Sequence, residues 1–462
     1  MASRLVSLAL AAAVAAASPA AAEAPASLEA GVDRAAAEVL AATGAPSASV
    51  AVVKDGRIVL AKAYGDARLE PRTPARPEMR YAIGSVSKQF TATAILLLAE
   101  QGRLSLDDRV SRFVPDLTRA GDVTIRQLLS HTSGYRDYWP QDYVPPFMLT
   151  EVTAATILDR WARVPLDFEP GAQYQYSNTG YVIAGLVVEK ASGEPLMPFL
   201  KRHVFEPLGM QGVLDVDRER LGETDATGYL RYALGPPRPA PKEGRGWLYA
   251  MGELAMSARD LARWNLGLVE QRLLKPLSYR EMQSAVRLTS GVAVPYGLGV
   301  DVLSVDGRRV IGHDGEVSGF SATNRVYPDD RAAVTVLVNL DASGAGDTLA
   351  DRVARLLFDD RADAEAAEGR ARRFLEGLQK GRVDRELLSP NASAYFGEQA
   401  LADFAASLGP LGAPASVKQT RKRDRGGMTY RQFQVTWPKQ SVQVWERDLP
   451  DGKVEQFQVL AE

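Results

Sequence analysis

Hydrophobic spacing divides the chain into alternating helical and extended stretches. Residues 28–42 place apolar side chains at helical period, and residues 47–53 and 57–63 read as strands flanking an Asp55-Gly56 turn suited to a hairpin. Residues 91–100 predict an apolar helix that stops at Gly102, and from 110 to 203 helical stretches alternate with Pro and Gly breaks. This pattern predicts a helical subdomain inserted into a sheet. Four more strands are expected at 296–304, 308–312, 323–327 and 331–339, with turns at Asp306-Gly307 and Asp329-Asp330. Strands joined by such short turns are antiparallel, because parallel neighbours need a long crossover. The expected fold is α+β: an antiparallel sheet flanked by helices, with a helical subdomain.

From 361 to 373 the sequence becomes Ala- and charge-rich, which marks a linker or the first helix of a new unit. Helices at 374–380 and 401–408 and strands at 429–438, 440–447 and 453–460 follow, with Phe433, Val435 and Trp437 alternating onto one face. The basic run Arg421-Lys422-Arg423-Asp424-Arg425 before Gly426-Gly427 reads as a solvated loop. The expected organisation is a main domain over 28–358, a linker or helix over 359–373 and a small α+β domain over 374–462. The helix-then-meander order of the latter resembles domains of the nuclear-transport-factor-2-like type.

Composition narrows the chemistry. Of 462 residues, 46% are hydrophobic and 24% charged, as in a globular chain with a sizeable core, and the net charge of −2 offers no field for nucleic acid or anionic lipid. The absence of cysteine excludes thiol nucleophiles, disulfides and Cys-ligated metals, and three dispersed histidines do not suggest a metal site, so neither metal nor cofactor is expected. Arg4, an apolar run over 5–17 and Ala20-Ala21-Ala22 have the order of a cleavable export signal over 1–22, which predicts a secreted or periplasmic protein. No later segment is apolar for long enough to span a bilayer.

Ser85 stands at the expected mouth of a helix with Lys88 one turn on, in Tyr81-Ala-Ile-Gly-Ser-Val-Ser-Lys-Gln-Phe90. A serine hydroxyl needs an adjacent base to attack a carbonyl, and a lysine with a depressed pKa can serve. Taken alone, Ser85 reads as a helix cap and Lys88 as a solvated side chain. They do not stand alone. Tyr176-Ser177-Asn178 is the only Tyr-x-Asn, and His313-Asp314-Gly315, ending a predicted strand, the only His-x-Gly.

This ordered trio, with Ser130-His131-Thr132-Ser133-Gly134, resembles the serine β-lactamase and penicillin-binding-protein family. The relevant branch holds class C β-lactamases, D-alanyl-D-alanine carboxypeptidases and esterases. The resemblance extends over about residues 28–358. It implies that Ser85 is acylated and that Lys88 and Tyr176 share the proton work, either with Lys88 as base or with a Tyr176 phenolate favoured by the neighbouring ammonium. It further implies that Asn178 orients the scissile group, and that the backbone N–H groups of Ser85 and Glu316, beyond Gly315, hold the oxyanion.

Three departures bear on substrate. His313 replaces the lysine of class C β-lactamases, and near its ordinary pKa it attracts a substrate carboxylate weakly and with pH dependence. Glu253 stands where relatives have a second glycine, and is expected to narrow or acidify the pocket. The Glu316 side chain adds negative charge beside the oxyanion position. His131 and His203 are expected to be structural, and Asn391-Ala392-Ser393 matches a glycosylation acceptor by chance. The expected substrates are short D-amino-acid peptides, with cell-wall peptide foremost, or small esters. Two alternatives remain: β-lactam hydrolysis, and a non-catalytic wall-binding or sensing role.

Overall fold

A computed structural model describes residues 26–141, 143–358 and 361–461, so the expected export segment at 1–22 lies outside the described residues. The chain divides into two compact units, the first ending at Leu357 and the second starting at Phe358.

In the first unit, Asp55 and Gly56 both take positive φ (52° and 72°), as do Asp306 and Gly307 (50° and 78°). Two consecutive left-handed residues make the tight reversal whose twist suits antiparallel strands. The resulting sheet has strands β1 (Ser47–Lys54), β2 (Arg57–Arg68), β3 (Thr73–Pro74), β4 (Asp301–Val305), β5 (Arg308–Val317), β6 (Phe320–Tyr327) and β7 (Ala332–Val338). Their order is β3-β2-β1-β7-β6-β5-β4, and every neighbouring pair is antiparallel. All of β7 and nearly all of β1 are buried, so the middle of the sheet is covered on both faces. Helix α1 (Ala26–Thr43) packs on α5 (Ala345–Leu357), while α4 (Ala258–Val269) and α5 pack on β7.

The insertion between β3 and β4 carries α2 (Lys88–Glu100) and α3 (Asn178–Ser192), which pack together. Helix α2 is buried nearly all round, which is why its sequence is apolar without a polar stripe.

Two strand boundaries differ from expectation. The strand expected from 296 starts at Asp301, because Gly299 (φ 75°) turns the preceding segment onto helix α2, so close that a Cβ there would meet the Lys88 carbonyl at 2.8 Å. Strand β5 does not end at His313-Asp314-Gly315. It runs through them to Val317, because β6 pairs with it as far as Val317↔Phe320.

The second unit opens with helix α6 (Arg361–Leu378), so the charged stretch is a helix and not a linker. Helices α7 (Pro390–Tyr395) and α8 (Glu398–Leu408) lead to an antiparallel meander, β8 (Ser416–Arg425), β9 (Met428–Trp437), β10 (Gln440–Asp448) and β11 (Val454–Ala461), ordered as in the chain. Phe433, Val435 and Trp437 join Ala371 and Leu375 of α6 in a separate core. The basic run lies on edge strand β8 and is not a loop. Charged side chains suit an exposed edge, and the Arg423 guanidinium covers the Tyr430 ring at 4.9 Å across the strands.

Candidate active site

Ser85 does not cap a helix. It sits in a single 3₁₀ turn, Gly84–Ser87, that runs directly into α2 and carries Lys88 onto the same side. Strand β5 presses against this turn: a Cβ on Gly315 would lie 2.0 Å from the Ile83 carbonyl oxygen and 3.0 Å from the Ser85 nitrogen. A Cβ on Gly84, which has φ 50°, would lie 2.7 Å from the Glu316 nitrogen. Only two glycines permit so close an approach, and it brings the backbone nitrogens of Ser85 and Glu316 into one neighbourhood.

The Lys88 amine is fully buried and meets three oxygens: Ser85 Oγ at 3.0 Å, Asn178 Oδ1 at 2.8 Å and the Met251 carbonyl at 2.9 Å. It lies 4.9 Å from the centroid of the Tyr176 ring and 5.4 Å from that of Tyr181. Burial pulls its pKa down to about 7 against the opposing pull of the Asp137 and Glu253 carboxylates.

The Tyr176 hydroxyl hydrogen-bonds with Ser85, yet burial holds the phenol well above its ordinary pKa. Of the two expected alternatives, the Tyr176 phenolate is therefore disfavoured. Lys88 faces the tyrosine ring, and desolvation of a phenolate outweighs what the amine returns. Asn178 opens α3 after the Ser177 cap. Its carboxamide is held between Lys88 and the Asp137 carboxylate, which accepts from Asn178 Nδ2 at 3.2 Å and from the Asn178 backbone N–H at 3.0 Å.

His313 shares a hydrogen bond of 2.9 Å between Nε2 and the Tyr296 hydroxyl, and its Nδ1 faces the Asp314 carbonyl. Burial and the nearby amine push its pKa down to about 3. The expected pH-dependent attraction for a carboxylate is thus corrected: the imidazole is neutral across the physiological range. Ser85, Tyr176, Asn178, His313, Gly315 and Glu316 line one cleft of ≈ 610 Å³, together with Trp139, Tyr143 and the acidic residues Asp314, Asp341 and Asp347. That volume suits a small-molecule or short-peptide ligand. Among the described residues no group of His, Asp and Glu is placed to hold a metal, and no helix is long and apolar enough to cross a membrane.

A family model described as Beta-lactamase matches residues 32–358. The chain belongs to the Beta-lactamase family. It is 30% identical to a D-aminopeptidase of Brucella anthropi over 65% of this chain, a match spanning 57% of that relative, and so less than two thirds of its length. It is 31% identical to penicillin-binding protein 4* of Bacillus subtilis, over 63% of this chain and 67% of the relative. Among solved structures, a D-amino acid amidase from Ochrobactrum anthropi SV3 complexed with D-phenylalanine aligns at a TM-score of 0.66 and 25% identity, covering 72% of this chain and 99% of that one.

Within this member of the Beta-lactamase family the departures take on geometry. Glu253 does not enter the cleft. It is buried against a separate small cavity with Asp215 and Asp217, where desolvation and these two carboxylates raise its pKa to about 8. The Glu316 carboxylate turns to accept from the Ala342 N–H at 3.2 Å. His131 accepts from the Ser177 N–H at 3.1 Å and stacks on Tyr176 at 4.1 Å, fixing the start of α3 and the phenol together. His203 packs on Phe199, 4.0 Å from Glu194 and away from the residues of the cleft.

Asp137, Tyr296 and Asp314 carry no expected role in the sequence. Asp314 was visible within the His-x-Gly motif. Asp137 follows the Ser130–Gly134 signature by three residues, with no local pattern to mark it.

Proposed function

We propose that this protein is an exported serine hydrolase that works through an acyl-enzyme on short D-amino-acid peptides or small esters. One contact carries the proposal: the buried Lys88 amine, with its pKa near 7, lies 3.0 Å from Ser85 Oγ at the floor of a substrate-sized cleft. A neutral amine there takes the Ser85 proton as Oγ attacks the carbonyl, and the oxyanion forms against the Ser85 and Glu316 N–H groups. Tyr176 gives its proton to the leaving group as it takes over the one Lys88 received from Ser85, so both end the acylation neutral. Water then attacks the acyl-enzyme, the Lys88/Tyr176 pair removes its proton, and that proton returns to Ser85 Oγ as the acyl bond breaks.

The lining of the cleft ranks substrates. Asp314, Glu316 and Asp341 line it with no lysine or arginine among the described lining residues, Asp347 is paired with Arg325, and His313 is neutral. A substrate ammonium is favoured and a free carboxylate opposed, which places D-aminoacyl amides and amino-terminal peptides ahead of carboxylate-terminated D-Ala-D-Ala. The names of the Brucella and Ochrobactrum relatives agree with this order. β-Lactam hydrolysis is the second reading, favoured by the family itself.

A fluorophosphonate probe is expected to label the wild type at Ser85 and to leave Ser85→Ala unlabelled. D-phenylalanine p-nitroanilide is expected to be cleaved faster than its N-acetyl form and than a D-Ala-D-Ala peptide. Nitrocefin turnover above all of these would install the β-lactamase reading instead.

A further inference from the structure

Asp137 is a half-buried carboxylate that no motif accounts for, and its two oxygens are spent on one neighbour. Oδ1 accepts the Asn178 backbone N–H at 3.0 Å and Oδ2 the Asn178 side-chain NH₂ at 3.2 Å, with the Trp139 N–H adding a 3.3 Å contact to Oδ1. A carboxylate can only accept, so the NH₂ end of the Asn178 carboxamide must face it. The carbonyl end is thereby turned toward Lys88, at 2.8 Å.

That orientation decides where the amine points. A neutral lysine amine has two N–H bonds and one lone pair. Asn178 Oδ1 and the Met251 carbonyl, at 2.8 and 2.9 Å, are both acceptors and take the two N–H bonds. The third direction, toward Ser85 Oγ at 3.0 Å, is left for the lone pair. Were the carboxamide turned over, its NH₂ would claim the lone pair and an N–H would point at the serine, reversing the transfer needed for attack.

We propose that Asp137 is a positioning residue: by locking the Asn178 carboxamide it aims the Lys88 lone pair at the Ser85 hydroxyl. The inference rests on Ser85 and Lys88 being nucleophile and base. As the bond from Oγ to the substrate carbon forms, the Ser85 proton moves to Nζ. The resulting ammonium has three N–H bonds and three acceptors already in place, so neither protonation state leaves a buried polar group unpaired.

The surroundings of Lys88 predict the signature. Facing it are the carboxyls of Asp137 and Glu253, the imidazoles of His131 and His313, both held neutral by burial, and the rings of Tyr176 and Tyr181. Burial pushes Asp137 up to about 6 and Glu253 up to about 8, so where Lys88 titrates Asp137 carries most of the carboxylate charge, and removing it withdraws the main group that favours ammonium. Asp137→Asn therefore lowers the rate and moves the acid limb of the pH profile to lower pH. A merely structural defect would lower the rate without that movement.

The test is p-nitrophenyl acetate hydrolysis by the full chain between pH 5 and 10, with the rate of fluorophosphonate labelling in parallel. For Asp137→Asn, kcat is expected to fall about 10- to 100-fold, reaching at most the lower end of the ~100- to 10,000-fold that general-base catalysis contributes, with KM held within about twofold and the acid limb displaced downward. Asp137→Glu keeps an acceptor-only group and is expected to recover part of kcat. If Asp137→Asn does not fold, Asp137→Ser, which also frees the carboxamide, is expected to show the same fall and displacement. An unchanged kcat, or a fall with an unmoved limb and no recovery in Asp137→Glu, overturns the proposal. Absence of wild-type labelling at Ser85 would instead remove the reading beneath it, so the two failures are distinguishable.

Discussion

At the scale of single residues, burial has more influence on the chemistry than charge pairing. It brings Lys88 to about 7, so with Lys88 as the proposed base, which must be neutral, activity is expected to rise as pH rises through neutrality, with the acid limb of kcat/KM there. Glu253 supplies a check on this coupling. Its folded pKa of about 8 lies above the ordinary 4.5, so the folded chain holds a proton that the unfolded chain has released. The associated stability is complete below pH 4.5 and is lost as pH rises through 8. Glu253→Gln is therefore expected to match the wild type in melting temperature at acid pH and to exceed it by a few degrees at pH 9. That Ser85, Lys88, Tyr176 and Asn178 meet could be read from two short motifs, Ser85–Lys88 and Tyr176–Asn178, and from the family resemblance that their order carries. The protonation of Tyr176 and His313 could not, since desolvation depends on which distant segments cover a side chain.

Among elements, the decisive contact is between β5 and the turn before α2. Gly315→Ala would place a methyl carbon 2.0 Å from the Ile83 carbonyl oxygen, where backbone and not a flexible side chain must move. The strand and turn are expected to separate, costing about 1–3 kcal/mol of stability, as overpacking does. The same displacement spoils the alignment of the Ser85 and Glu316 nitrogens and is expected to lower kcat by about 100-fold, the loss typical of a removed oxyanion donor. Thermal melts and steady-state rates on one preparation check both effects. The hairpins at Asp55-Gly56 and Asp306-Gly307 could be read in advance because their turn residues specify the φ they adopt. Strand β8 could not, because its charged side chains are those of an exposed edge and carry no apolar alternation. The late start of β4 was equally hidden, since Gly299 turns away to meet a helix two hundred residues earlier in the chain.

For the molecule as a whole, two compact units that share no core imply two unfolding events. The cluster around Phe433 and Leu375 is separate from the one that holds α2 and the central sheet, so calorimetry is expected to give a transition broader than a single two-state step, with a calorimetric enthalpy above the van't Hoff value. A single sharp two-state transition would contradict that division. The order of the central sheet carries one more consequence. Strand β1, near the beginning of the described chain, is paired with β7 near the end of the first unit, and α1 rests on α5. On the ribosome, then, the opening hairpin emerges long before the partner that will flank it. Ser85 can be synthesised, but its surroundings are not assembled until nearly three quarters of the chain has been translated, which leaves the growing polypeptide without a completed cleft for most of its manufacture.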